Sequence, residues 1–327
     1  MEKRRLGKTD LFVNPVGLGC MGLSHAYGTA TDESAAIQFL REAYEAGYNF
    51  FDTAECYTGQ NEDGTTSNNE SIVGRALKGF RKMVIIATKF GVSHKGEYLE
   101  LDSSPKRIRE SLEGSLARLQ TNYIDLYYQH RIDPKVAPEV VASVMKEFIA
   151  EGKIKAWGIS EANEEYIRRA HAVCPVTAIQ NRYSMLARGY ESLFPLCEEL
   201  GITFVAFSPL GNGFLSCIYN ENSTFEKGDF RNSMPQYTEE GFKRAKALIE
   251  LLKTMAAKKK TSPAQLSLAW MLCKNKNLVT IPGSRKIENM KSNFEAGNVI
   301  ITKEELIQID DLLDQSNIPV FEGHQSK

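Results

Sequence analysis

The sequence predicts an α/β protein built as a (β/α)8 TIM barrel, with an N-terminal hairpin and an extra C-terminal helix. Two observations carry this expectation. Short apolar, β-rich runs alternate with longer amphipathic ones, and there are eight of the short runs. Most of them are almost continuously apolar rather than strictly alternating, as strands covered on both faces should be. The 327 residues suit one barrel domain over 1–327, since barrels of this kind take about 250 residues before insertions.

In chain order, residues 4–16 read as a hairpin around Gly7-Lys8-Thr9-Asp10, a plug for the barrel floor. The strand runs are 13–19, 49–53, 83–89, 124–130, 154–160, 177–180, 203–207 and 278–282. Asp32 caps a helix that carries Ile37, Leu40 and Tyr44 and ends near Gly47. Polar residues 58–69 read either as a border of the substrate mouth or as a surface insertion, the second being the expectation. Ser104-Pro105 supplies an N-cap and a proline at the first helical position, after which Ile108, Leu112, Leu116 and Leu119 recur at helical spacing. Residues 210–240 form a long polar loop, of the length that is usually functional or disordered. Ser262-Pro263 repeats the capping device ahead of Leu266, Trp270 and Cys273. The chain closes with an amphipathic helix over 302–316, carrying Leu306, Ile309, Leu312 and Leu313. Eight strand–helix units also allow an open doubly wound sheet. With Gly17-Leu-Gly-Cys-Met-Gly22 set aside as a dinucleotide fingerprint, the barrel is the better reading.

Forty basic side chains against 41 acidic ones leave a formal net charge of −1, so nothing draws the whole surface toward nucleic acid or anionic membrane. Any bound anion must be held by a local site. The six cysteines are scattered, without a C-x-x-C pair or zinc-like His/Cys spacing, so free thiols, a reducing interior and no metal are expected. No apolar run approaches the roughly 18 residues of a membrane span, and none follows the N-terminal charges. A cytoplasmic location is the expectation, with a small molecule rather than nucleic acid or membrane as partner.

Chemistry in a barrel belongs at the C-terminal ends of the strands. Those ends supply Asp52, Lys89 and His130 from three consecutive strands, with Tyr57 just beyond Asp52. Each has a plain alternative: Asp52 as a turn cap, Lys89 and His130 as rim residues, Tyr57 as packing, and Asp52–Lys89 as a structural ion pair. Together they form a coherent proton-transfer set. A free tyrosine titrates near pH 10, and a neighbouring Lys⁺ lowers that value. A carboxylate beside the lysine keeps it charged despite burial. Tyr57 is then the general acid, Lys89 its tuner, Asp52 the anchor of Lys89, and His130 the group that orients a carbonyl.

These segments resemble the aldo-keto reductase family over residues 4–313. The opening Arg5-Leu-Gly-Lys-Thr-Asp-Leu and Val16-Gly-Leu-Gly-Cys-Met-Gly are similar to it. So are Gly47-Tyr-Asn-Phe-Phe-Asp-Thr-Ala-Glu-Cys-Tyr57, Ile86-Ala-Thr-Lys89 and Asp125-Leu-Tyr-Tyr-Gln-His130. Within the family the chain looks most like aryl-alcohol, pyridoxal and auxin-induced-like reductases. The resemblance implies hydride transfer from NADPH (oxidised form NADP+) to aldehyde or ketone carbonyls, in the manner of an NADP-dependent alcohol dehydrogenase. It also implies a cofactor set. Ser160 and Gln180 would hold the nicotinamide carboxamide, with Asn163 a substitute where Glu161 replaces the family's usual Asn. Met21 and Asp52 would border the nicotinamide and Phe207 would stack on it. Ser208, Pro209, Leu210, Gly211 and Gly213 would wrap the pyrophosphate, and Arg231 would clamp over it. Gly283, Ser284 and Arg285 would receive the 2′-phosphate, with Lys286 adding charge, while Asn289 and Asn293 would lie toward the adenine.

Two other functions are compatible with parts of the pattern. A cofactor-binding regulatory subunit, of the kind that modulates a channel, would use the fold with little turnover. A Schiff-base lyase would use Lys89 as a nucleophile.

Overall fold

In a computed structural model the described residues are 1–95 and 98–321. Eight parallel strands follow one another round a sheet in chain order: β1 (Leu18–Gly19), β2 (Phe50–Asp52), β3 (Ile85–Phe90), β4 (Ile124–Gln129), β5 (Ile154–Ser160), β6 (Ala178–Arg182), β7 (Thr203–Phe207) and β8 (Leu278–Thr280). Bridges from Val16 to Thr280 and from Gly19 to Gly283 join the first strand to the last and close the barrel. Ten helices run α1 (Glu33–Glu45), α2 (Asn69–Leu77), α3 (Pro105–Leu119), α4 (Pro138–Ala150), α5 (Glu164–Val173), α6 (Phe194–Leu200), α7 (Glu239–Lys259), α8 (Pro263–Lys274), α9 (Ile287–Glu295) and α10 (Lys303–Gln315).

Strand parity explains both cores. Phe50, Ile85, Ala87, Leu126, Tyr128, Ala156, Ala178, Val205 and Val279 point inward and fill the barrel. Their neighbours Phe51, Ile86, Tyr127, Trp157, Ile159, Ile179, Phe204 and Leu278 point outward into the helical layer. With side chains alternating at a period of two, the same inward face continues to Asp52, Lys89, His130, Ser160, Gln180, Arg182 and Phe207 at the C-terminal rim. Gly158 makes room inside: a Cβ there would lie 2.4 Å from the Tyr128 ring.

The floor is sealed as the sequence suggests. Arg4–Arg5 pairs antiparallel with Phe12–Val13, and Leu6 and Val13 are fully buried in the interior cluster. The Gly7 amide donates to Thr203 Oγ1 at 2.8 Å, and Arg4 donates to the carbonyls of Leu272 and Asn275. The expected strand 13–19 is therefore two pieces. Pro15 has no N–H for a ladder, so Phe12–Val13 belongs to the floor and Leu18–Gly19 to the barrel.

Gly17, Gly19 and Gly22 do have the spacing G-x-G-x-x-G, so spacing does not dismiss the dinucleotide fingerprint. Context does: the chain enters a short 3-10 turn at Met21–Leu23, and no α-helix begins before Glu33.

Helix caps follow the sequence: Asp32 accepts from the Ala35 amide and Ser104 from that of Arg107, and Ser262 forms a capping box with Gln265. Cys273 departs from expectation; it is exposed, while Leu266 and Trp270 are buried. Thr302 forms a second capping box with Glu305 and starts α10, which buries Ile309 and Leu313.

Two hairpins flank the mouth. Thr58–Gln60 pairs with Thr66–Asn68 after β2, and Val92–Lys95 pairs with Tyr98–Leu101 after β3. The first is only partly the surface insertion expected of 58–69: its tip is exposed, whereas Ser67 and Asn69 are buried. Among the described residues no helix is long and apolar enough to cross a membrane.

Candidate active site

The turn that follows β2 is held from both sides by buried polar groups. Asn69 accepts from the Thr53 hydroxyl at 2.7 Å and donates to the Cys20 carbonyl at 2.9 Å and Ser24 Oγ at 2.8 Å. Glu55 accepts from the Gly91 amide, Arg107 and Ser111. Between these anchors Tyr57 turns back over the barrel axis, its carbonyl accepting from Ser24 and from the Asn69 amide.

There the four catalytic candidates meet. Lys89, fully buried, forms an ion pair with Asp52 and donates to the Thr53 carbonyl at 2.8 Å and to the Tyr57 hydroxyl at 3.2 Å. Gln180 donates to the other Asp52 oxygen at 2.7 Å. The His130 ring meets the Tyr57 ring edge-on at 5.7 Å, and His130 Nδ1 lies 3.5 Å from Cys56 Sγ.

Burial opposes the Lys89 charge, but Asp52 and Tyr57 more than offset it and hold the lysine above its ordinary value. Burial also dominates at Tyr57, pushing the phenol up to about 12 while Lys89 pulls it down. The expected lowering of the tyrosine is thus reversed in sum, because desolvating a phenolate outweighs one nearby ammonium. His130 is held well below its usual range by burial and by Arg131 and Lys89, so its imidazole is neutral. A buried, charged Lys89 is ill suited to Schiff-base chemistry, which needs a neutral amine. What the group can do is give a proton to an oxygen and stabilise the phenolate left behind.

The cofactor candidates ring the same mouth. Met21 is half-buried in the turn after β1, and the adjacent Gly22 carbonyl accepts from Arg285 beyond β8. Ser160 is buried at the end of β5 and accepts from Arg131 at 3.3 Å. Phe207 is half-buried at the end of β7, and beyond it Ser208, Gly211, Asn212 and Gly213 all take positive φ, with Pro209 and Leu210 between. Within this tight turn the Gly211 and Gly213 amides donate to the Ser208 and Leu210 carbonyls, and Asn212 Oδ1 is buried without a partner. Arg231 pairs with Asp229 at 2.6 Å, donates to Tyr219, and lies over the Phe225 ring; Asp229 bridges to Tyr27 after β1. The long loop is thus a strap from β7 across to β1. After β8, Gly283 approaches Gly19, the Ser284 hydroxyl accepts from the Lys286 amide, and Arg285 and Lys286 are exposed. Asn289 is exposed on α9 and Asn293, one turn on, is buried. No side-chain hydrogen bond joins either to the rest of the ring among the described residues. The tight positive-φ loop after β7 and the exposed cations Arg285 and Lys286, with half-buried Ser284 beside them, fit an anionic dinucleotide.

A model of the aldo/keto reductase family matches residues 15–314. The chain belongs to that family. It is 39% identical over 311 residues to probable aldo-keto reductase 1 of Glycine max, covering 93% of this chain and 87% of the relative. Among solved structures it resembles the glycerol dehydrogenase AKR11B4 from Gluconobacter oxydans, at a TM-score of 0.86 and 26% identity over 99% of both chains. It also resembles the holo form of aldo-keto reductase AKR11C1 from Bacillus halodurans, at 0.77 and 30% over 99% of both.

Within this aldo/keto reductase some contacts lay beyond the sequence reading. The Asn163 side chain caps α5, its Oδ1 accepting from the Tyr166 amide. His25, given no role by the sequence, stacks on Tyr57 at 5.9 Å and lies 4.9 Å from the His94 ring, and His171 accepts from the Val176 amide. Despite this gathering of histidines, no group of three or more His, Cys, Asp or Glu with metal-holding geometry occurs among the described residues. Behind Cys56 lies a cavity of about 300 Å³, lined by Glu55, Asn68, His94 and Arg107. A wider cleft of about 1060 Å³, lined by Phe80, Met83 and Tyr123, sits where β3 and β4 begin, away from the reactive groups.

Proposed function

We propose that this chain reduces aldehyde and ketone groups of small molecules to alcohols, with NADPH as reductant and Tyr57 as proton donor. The observation that supports it most is the convergence of the Tyr57 hydroxyl, the Lys89 ammonium and the Asp52 carboxylate at the mouth of the barrel. NADPH, when bound, supplies a hydride to the carbonyl carbon. Tyr57 and the neutral His130 face the carbonyl oxygen as hydrogen-bond donors, polarising it without a full charge. Tyr57 then releases its proton to that oxygen, Lys89 stabilises the phenolate, and solvent returns the proton. Asp52 keeps Lys89 charged, and Gln180 orients Asp52.

For the cofactor, Ser160 and Gln180 would hold the carboxamide, Phe207 and Met21 the nicotinamide faces, and residues 208–213 with Arg231 the pyrophosphate. Gly283, Ser284 and Arg285 would hold the 2′-phosphate, and Asn289 and Asn293 the adenosine end. The related structure from Klebsiella pneumoniae, 24% identical at a TM-score of 0.72 and covering 99% of this chain and 98% of its own, was solved with NADP and acetate.

The test is NADPH oxidation with a panel of aromatic and aliphatic aldehydes, by wild type and by Tyr57→Phe. Turnover by the wild type that the variant loses, with NADPH affinity retained, supports the reading. Negligible reduction across the panel by a wild type that binds NADPH overturns it in favour of a regulatory role.

A further inference from the structure

The four reactive side chains leave a cationic group at the mouth without a task. Arg182 stands two residues beyond Gln180 on β6, on the same inward face and about 7 Å nearer the mouth by the rise of a strand. Its guanidinium lies between two rings, 5.2 Å from Phe207 and 5.4 Å from Phe321. Among the described residues it makes no hydrogen bond or ion pair, and its Nε is buried without a partner. Glu161 attracts Arg182 but makes no ion pair with it. Glu161 pairs with Arg131 Nε at 3.1 Å, and Arg131 also donates to the His130 carbonyl and Ser160 Oγ. Two guanidinium groups thus share the attraction of one carboxylate near His130.

Packing alone is a poor account of such a residue. A neutral side chain would fill the slot between the rings without leaving a buried N–H unbonded. Burial pushes Arg182 below its ordinary value and the like charge of Arg131 pushes the same way, against the pull of Glu161. A bound acceptor would reverse both penalties, and the planar fork of arginine matches carboxylate and phosphate oxygens.

We propose that Arg182 receives an anionic group, carboxylate or phosphate, on the substrate, so that the preferred carbonyl compounds are anionic. The inference rests on the carbonyl-reductase reading and deepens it. The anion would sit on the inner rim of β6 while its carbonyl reaches Tyr57.

Three aldehydes of one skeleton test this: 4-methylbenzaldehyde, 4-carboxybenzaldehyde and 4-formylphenyl phosphate. Each is assayed by NADPH oxidation with wild type, Arg182→Gln and Arg182→Lys, and NADPH affinity is measured for each protein by fluorescence. The wild type should favour at least one anionic aldehyde in kcat/KM, and the better of the two identifies the anion. Arg182→Gln should cut that preference by about 10- to 100-fold, the scale of lost hydrogen bonds to a charged group, chiefly through KM. Arg182→Lys should retain part of it, since the charge remains. Equal reduction of the neutral and both anionic aldehydes by the wild type overturns the inference and leaves the reductase reading standing. So does an Arg182→Gln variant with an unaltered preference, or one that loses NADPH affinity by the same factor, which would give Arg182 to the cofactor. Reduction of none of the three overturns the inference, and the aliphatic aldehydes of the wider panel then decide the reductase reading.

Discussion

The Lys89 ammonium has three N–H groups and three acceptors around it: Asp52, the Thr53 carbonyl and, at 3.2 Å, the Tyr57 hydroxyl. Nothing is left over for water, so the lysine is fixed in place as well as in charge.

Removing either member of that buried pair strands the other. Asp52→Leu or Lys89→Met alone should lower unfolding free energy by about 3–5 kcal/mol, whereas the double variant should lose much less. Urea unfolding of the three variants checks this, and equal losses in single and double variants would count against a coupled pair.

The phenol is pushed up to about 12, and Lys89 is also raised, so neither loses its proton in the usual assay range. Reduction should show no falling alkaline limb below about pH 10, close to the ordinary phenol value. A descending limb centred near pH 8 in kcat, absent from a control for cofactor stability, would contradict the burial described for Tyr57.

His130 makes stability fall in acid. Its folded value lies well below the unfolded one of about 6.5, so below that pH the unfolded chain binds a proton that the folded chain does not. Stability is therefore full above about pH 6.5 and declines as pH drops toward the depressed folded value. Unfolding curves at acid and neutral pH should differ less for His130→Gln than for wild type.

Cys56 Sγ lies 3.5 Å from His130 Nδ1, and burial pushes the thiol up to about 12. In the folded protein at pH 8 it should resist iodoacetamide, while exposed Cys273 is alkylated first; peptide mass spectrometry reads the order. Early modification of Cys56 would mean that the turn before Tyr57 opens readily.

At the floor, Leu6 is fully buried among inward-facing strand residues. Leu6→Ala should reduce stability by about 2–5 kcal/mol, as core truncations do, with NADPH affinity little changed. A thermal melt together with a cofactor titration separates the two effects.

Much of this was legible in the sequence, for reasons of geometry. Eight apolar runs marked the barrel strands, and period-two parity then carries Ala87 to Lys89 and Tyr128 to His130 on one face. The hairpin Val92–Lys95 with Tyr98–Leu101 was not foreseen, because its largely exposed alternation is too short and polar to stand out beside buried strands. The supports of the site were hidden for another reason. Asn69 on Thr53 and Gln180 on Asp52 are contacts between side chains 16 and 128 positions apart, and nothing local distinguishes those residues from ordinary polar ones. The sign at Tyr57 was missed because the sequence displays the neighbouring charge but not the depth of burial.

The way the barrel shuts has a consequence for how the chain is made. Gly7 fastens to Thr203, Arg4 to Leu272 and Asn275, and Val16 to Thr280. The floor hairpin around Gly7 therefore has no complete seat until the chain as far as residue 280 is available. These contacts reach across 196 to 271 positions, so a polypeptide cut short before Leu272 would leave Arg4 without the carbonyls of Leu272 and Asn275.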